Sequence, residues 1–324
     1  MGLARYVAAR TIWAAIVSFI IVTVTFLLLA LAPNPSISQA ATQAALEGGD
    51  PTTAVEQQEQ LRGLDQPLYV RYMDFMQGVY TLEWGWSQNR AQPVTEALWE
   101  GIYYTAQYSI PWTILTLIIG PLVGLYSAAN MYSWKDHLAT GFAFFGWAIP
   151  NFFFGIILLV IFGVWLQWFP IQYDPSVPVF SLANAHQLFL PVFVLVTGSI
   201  GAVMRVSRNE SAEFQNADFM KTAKAKGVSP TRAYAYHVMR PTMVPLSTTI
   251  VSQLLVIFLG SSLLIEIVFG IPGLGRVTFD ALINQDTNLV LGATLLFTFI
   301  AVVGNLIEDL VFTIMDPRIS FDDR

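Results

Sequence analysis

Residues 137–173 read HLATGFAFFGWAIPNFFFGIILLVIFGVWLQWFPIQY, 37 consecutive positions without Asp, Glu, Lys or Arg. A helix rising about 1.5 Å per residue crosses a hydrocarbon layer of about 30 Å in roughly 20 residues, so this run can span a bilayer with material to spare. Within it, Ile156 to Phe162 (IILLVIF) is apolar on every side, whereas a membrane-barrel strand alternates over about ten residues. The run therefore reads as helix, and a barrel is excluded. Five further charge-free runs frame it: Thr11–Ala32, Gly101–Trp134, Pro175–Met204, Pro241–Ile265 and Thr287–Ile307. The expectation is an all-α integral membrane protein with six transmembrane helices. Composition agrees: 55% of the 324 residues are hydrophobic and 12% are charged, about half of the roughly 25% charge of a soluble domain.

Lys and Arg are retained on the cytoplasmic side of short loops, and here their placement is lopsided. Arg5, Arg10, Lys135, seven basic residues between Arg205 and Arg240, Arg318 and Arg324 make 12 of the 16 on the side of the N-terminus. This predicts cytoplasmic N- and C-termini in a cell membrane, with the long loop from Pro33 to Glu100 external. That loop carries nine acids against three Arg, whereas the Arg205–Arg240 loop carries seven bases against three acids. A cleaved leader is the other reading of the first helix, since Ala30-Leu31-Ala32 resembles a cleavage site. The 22-residue apolar run is too long for a signal core of about 7–15, so it is taken as an anchor.

Much chemistry is absent. The chain has no cysteine, which removes thiolate metal sites and cysteine nucleophiles. No Gly immediately precedes any of its four lysines, so no phosphate-binding loop of the G-x-x-x-x-G-K-[ST] kind exists here. His137, His186 and His237 are isolated, and neither G-x-S-x-G nor H-E-x-x-H occurs. No catalytic residue, metal site or cofactor is expected in this chain, and the mild charge gives no case for nucleic acid. Ionisable groups at membrane depth, which a coupled pump needs, are few: Glu266 near the end of the fifth span, and Glu308 and Asp309 near the end of the sixth. Capping and bonding between helices is the favoured reading of all three. Pro111, Pro150, Pro191 and Pro245 lie within spans and are expected to kink or end their helices. Lipid contact is implied throughout.

The segment 208–241 reads as helix, turn, helix. Asn209 to Lys226 lacks Gly and Pro; Gly227 supplies a left-handed residue, Ser229 an N-cap and Pro230 a first helical position, and Pro241 stops the second helix. Tyr234, Tyr236, His237 and Met239 are poor residues for bare solvent and good anchors for a partner surface.

The stretch Asp218 to Pro230 (DFMKTAKAKGVSP), followed by His237-Val238-Met239-Arg240, closely resembles the ATPase-coupling loop of binding-protein-dependent ABC importer permeases. Within that superfamily the chain resembles the dipeptide/oligopeptide/nickel group, specifically the subunit with a large external loop after its first helix. Gly63 to Pro67 (GLDQP), Ile149 to Phe152 (IPNF), Leu190-Pro191, Glu266 with Phe269 to Arg276 (FGIPGLGR), and Met315 to Arg318 (MDPR) agree in order along nearly the whole chain. Lys221, Thr222 and Ala223 stand where the superfamily has Glu-Ala-Ala and the peptide group Arg-Thr-Ala, and Pro241 stands where Asn is usual.

What the resemblance implies is a type I importer permease bundle. Residues 1–98 would form the first helix and external loop, 99–318 the permease domain with its coupling loop at 208–241, and 319–324 a tail. Asp218, Lys221, Thr222, Ala223, Lys224, Ala225, Lys226, Gly227, Val228, Ser229, His237 and Arg240 would dock on a separate ATPase. Implied partners are a paralogous permease subunit, two ATP-binding subunits that hold the ATP and Mg, and an extracytoplasmic substrate-binding protein. The Pro67–Gly78 stretch of the external loop, with Tyr69, Tyr72, Phe75 and Met76 at helical spacing, is expected to pack over the external mouth and meet that protein. Displacement of the docked loop would pass to the fourth and fifth spans. An ion-coupled carrier, a channel or an assembly protein is the competing class, and would need no ATPase.

Overall fold

The computed structural model describes residues 3–31, 35–61, 63–215, 217–229, 232–243, 246–247 and 263–315. In chain order the helices are α1 (Leu3–Leu31), α2 (Pro35–Leu46), α3 (Pro51–Leu61), α4 (Leu68–Thr81), α5 (Val94–Ala129), α6 (Trp134–Ala148) and α7 (Asn151–Leu158). There follow a π-helical segment π1 (Leu159–Trp165), α8 (Leu182–Phe214), α9 (Asp218–Ala225), a second π-helical segment π2 (Ala233–Val238), α10 (Leu263–Phe269), α11 (Leu274–Ile283) and α12 (Thr287–Met315). A two-stranded antiparallel hairpin, β1 (Trp86–Ser87) and β2 (Gln92–Pro93), precedes α5.

Among the described residues α1, α5, α8 and α12 are each long and apolar enough to cross a membrane. The predicted third span is a bent pair: α6 and the helix formed by α7 and π1 meet at 99°. The bend has a local cause, because a residue before proline is pushed out of the α region, and Ile149, before Pro150, is extended at φ −94° and ψ 130°. The predicted fifth span, Pro241–Ile265, with Pro245, falls largely outside the described residues.

Of the three described prolines expected to kink or end helices, Pro150 alone lies at a break between helices. α5 runs unbroken through Pro111 and Pro121, and α8 through Pro191. Pro111 sits between buried Tyr108 and Trp112, and Pro191 between buried Leu190 and Val192. Packed neighbours there let the helix continue despite the lost donor, as they do in membrane bundles.

The chain forms two compact units, a larger one built mainly from Trp99–Val277 and a smaller one from Ala8–Leu98 with Thr278–Val302. In the smaller unit, Val22 of α1, Val79 of α4 and Leu295 of α12 form a buried core with Phe75, Met76, Trp84 and Phe299 against it. Three of the four aromatic-stripe positions predicted on α4 point into this packing: Tyr72 bonds Thr23 at 2.8 Å, and Phe75 and Met76 join the core. Tyr69 stays exposed. Asp286 closes the unit by accepting from the Ser87 hydroxyl at 2.6 Å and from the amides of Asn89 and Leu289 at 3.2 Å each, so it also caps α12.

The larger unit is held by α8, whose buried residues run from Asn184 to Ser211 and surround the helix between Leu190 and Thr197. Its approach to α5 is close at Gly124: a Cβ there would lie 2.6 Å from both the Met204 carbonyl oxygen and Ser207 Cβ. Small residues at such crossings let helix backbones touch, the usual basis of packing in lipid. The Ser207 hydroxyl adds a bond of ordinary length to α5, donating to the Pro121 carbonyl at 2.9 Å.

Candidate functional site

The segment resembling a coupling loop folds into a small body with its own core. The predicted continuous helix from Asn209 to Lys226 is in fact two, α8 ending at Phe214 and α9 starting at Asp218. The break lets α9 turn its apolar side back: Met220 and Ala223 are buried, while Lys221, Thr222 and Ala225 are exposed. Met220 packs with Ala233 and Val238 of π2, and Leu125 of α5, Phe214, Val228 and Tyr234 close around them. Gly227 links α9 to the return stretch at φ +76°, and a Cβ there would meet nothing within 4 Å. Glycine is favoured at this position by backbone conformation alone.

The return stretch departs from expectation in a way that changes its surface. Helical structure continues through 239–243, so Pro241 does not stop it. Within it, π2 hydrogen-bonds from i to i+5, as the Met239 amide to the Tyr234 carbonyl shows. Residues five apart then share a face, which is why Ala233 and Val238 are both buried. Tyr234 turns inward with them, donating its hydroxyl to Gln215 Oε1 at 2.8 Å, and burial pushes its phenol above the usual pKa. Met239 is half-buried. Of the four predicted anchors, only Tyr236 and His237 stand outward.

The predicted docking residues thus divide. Asp218, Lys221, Thr222, Ala225, Lys226, Gly227, Ser229, His237 and Arg240 are exposed; Ala223 and Val228 belong to the supporting core; the Lys224 side chain and Pro230 lie outside the described residues. With exposed Phe219 and Tyr236, the outward group forms a mixed basic and aromatic surface. Lys221 donates to Asp218 at 2.8 Å within that surface.

Two buried carboxylates brace the larger unit, and only Glu266 is expected from sequence. Fully buried, it accepts from Tyr108 at 2.8 Å and Thr105 at 2.9 Å of α5 through Oε1, and from the Arg276 amide at 2.7 Å through Oε2. Thr105 in turn accepts from the Leu274 amide at 2.8 Å. The FGIPGLGR stretch therefore wraps a carboxylate that caps the N-terminal amides of α11, where negative charge is favoured. This is the capping reading of Glu266.

The second is Asp136, at the start of α6 and 1% exposed. Arg208 of α8 grips it with both arms of its guanidinium, Nε at 3.0 Å and Nη2 at 2.8 Å. The Ser127 hydroxyl, the Tyr132 amide at 2.9 Å and Thr140 at 3.2 Å complete its partners. No sequence pattern marks this pair, because it joins residues 72 positions apart. Among the described residues no group of His, Cys, Asp and Glu could hold a metal ion.

A membrane bundle with a cored, glycine-hinged loop at 208–241 invites comparison with known transport subunits. Residues 120–321 match the family described as binding-protein-dependent transport system inner membrane component, and residues 3–97 match its N-terminal companion. The chain belongs to this family. The permease is 31% identical over 332 residues to the oligopeptide transport system permease protein AppB of Bacillus subtilis, covering 98% of this chain and all of that one. It is 27% identical to the oligopeptide transport system permease protein OppB of Haemophilus influenzae, over 98% and 99% of the two chains. It is also 27% identical to the dipeptide transport system permease protein DppB of B. subtilis, over 99% and 100%. The permease is thus a multi-pass membrane component of a binding-protein-dependent ABC transport system.

Proposed function

We propose that the permease is one half of a peptide import pathway in the cell membrane, and that the outward surface of 208–241 is where a separate ATPase docks. The observation that carries this reading is the folded loop itself. A connection that merely joined two spans would need no core, yet this one buries Met220, Ala233 and Val238 and keeps Tyr236, Phe219 and a set of basic residues outside. Rigid aromatic anchors beside charges are the composition of a docking surface. ATP and Mg would be held by two such ATPases, with no cofactor on this chain. The lopsided Lys and Arg content supports cytoplasmic termini, and so a docking surface on the side where ATP is. A paralogous permease would complete the pathway, and an extracytoplasmic binding protein would deliver substrate to the side carrying α2 to α4. Peptides as substrate class rest on the relatives named above.

The test is a mild-detergent pull-down of the tagged chain from its native membrane, with mass spectrometry of the recovered proteins. A phosphate-loop ATPase should accompany the wild type and be lost from Gly227→Val and from Tyr236→Ala. Full transport by the purified chain alone after reconstitution would overturn the proposal and favour a carrier. Deletion of Ala40 to Glu59, within α2 and α3, should weaken capture of the binding protein; unchanged affinity would remove that part of the loop from the contact.

A further inference from the structure

The docking surface is tied to more of the bundle than to the span that leads into it. Arg208, Ser211 and Gln215 lie at i, i+3 and i+7, one face of the end of α8 and the short turn after it. Each makes a link. Arg208 holds Asp136 of α6 and, through Nε at 3.1 Å, Ser127 of α5. Ser211 meets Thr242, in the helical stretch after π2, at 3.4 Å. Gln215 reaches Met131, in the connection between α5 and α6, at 3.7 Å with its amide nitrogen, and accepts from Tyr234 of π2 with its oxygen. Leu125 of α5 packs directly on the core of the docking body. The ends of three helices and the loop therefore meet in one network.

We propose that Asp136 and Arg208 are positioning residues for energy coupling: they form a strut that makes the α5–α6 connection move as one body with the docking loop. Displacement of the loop is then delivered to α5 and α6 as well as to α8, beyond the fourth and fifth spans expected from sequence. This rests on the ATPase-docking reading above. The chemistry suits a strut better than a stabiliser. Burying an ion pair is offset only partly by its attraction, and apolar packing often stabilises as much. What a planar guanidinium with two parallel bonds adds is fixed direction. A rigid chain of packed and bonded groups is also the physical means by which two sites are coupled.

The test uses the complete importer, co-purified with its partner subunits and reconstituted in liposomes, and reads uptake per ATP hydrolysed. Asp136→Asn should keep the ATPase subunits bound in wild-type amount while this ratio falls, by about 5- to 100-fold for a coupling of ordinary strength. Arg208→Lys, which keeps charge but loses the two-armed grip, should fall between. An unchanged ratio in both, or loss of the ATPase subunits from Asp136→Asn, overturns the strut; failure of the wild type to bring down any ATPase overturns the docking reading instead. Should Asp136→Asn not fold, a second measurement decides. The chain lacks cysteine, so Met131→Cys with Gln215→Cys can be bridged by a short bismaleimide. Uptake by that variant should be the same bridged and unbridged, because the two sites travel together; a loss on bridging shows that they must separate, and refutes the proposal.

Discussion

Two acid–base pairs in this permease have the same contact distance and opposite surroundings. Lys221 reaches Asp218 at 2.8 Å with side chains 72% and 95% exposed, and Arg208 reaches Asp136 at 2.8 Å with side chains 21% and 2% exposed. Distance alone cannot rank them. In water the first pair gives up side-chain freedom for a screened attraction. The second has lost its water, so Asp136 depends on the guanidinium, two hydroxyls and an amide to replace it. The lesson is that the outward pair is dispensable to the fold and available to a partner, whereas the inward pair is committed.

The largest effect should follow from breaking the committed pair on one side. Asp136→Ala leaves the Arg208 charge without its partner and should cost about 3 kcal/mol, the lower part of the range for broken buried pairs because Arg208 keeps an edge in solvent. Thermal unfolding in detergent would read this, and Asp136→Leu with Arg208→Met should recover much of the loss. A double variant no more stable than Asp136→Ala would contradict this account of the pair.

Glu266 sharpens the contrast, since hydroxyls and a helix amide, rather than a guanidinium, take the place of its water. Glu266→Gln turns one acceptor into a donor among groups that all donate to it now, the Thr105 and Tyr108 hydroxyls and the Arg276 amide. It should cost about 1–3 kcal/mol, the penalty of an unmet buried polar group; a variant as stable as wild type would show that the hydroxyls turn to accept from the new NH2 group. Gly227→Val comes next. A left-handed non-glycine residue costs about 1–2 kcal/mol, and with open space around it the strain is confined to the loop. ATPase recovery should therefore drop while the unfolding midpoint hardly moves. Lys221→Ala should be smallest, below about 1 kcal/mol in stability, and any loss of docking it causes should fade as salt rises. A clear fall in the midpoint would mean that the surface pair is less dispensable than its exposure implies.

These contrasts also mark what a sequence can disclose. Membrane spanning is legible because it depends on apolar length, which is local. The resemblance of 208–241 to a coupling loop is legible through its order of residues, and Gly227 through the turn it makes at φ +76°. Asp136 is not, standing one position before an apolar run, with its partner 72 residues on. The donors to Glu266 from α5 are 161 and 158 residues away, so the sequence can suggest a capping role but not which side chains share the carboxylate. Pro111 and Pro191 do not end their helices for a related reason: proline's local penalty is visible, and the packed neighbours that tolerate it are not. Tyr234 misleads because a period of 3.6 does not hold in a stretch wound from i to i+5.

That winding in π2 gives the proposed docking surface an unusual kind of vulnerability. Which residues face outward between 233 and 238 depends on there being one more residue in the turn than an α-helix would hold. Removing any single residue from this stretch would let it relax to ordinary helix and carry the outer set of side chains inward, even if every remaining residue were kept. In this part of the permease, chain length is itself part of the code, and an insertion or deletion would rearrange the outward face without changing any remaining residue.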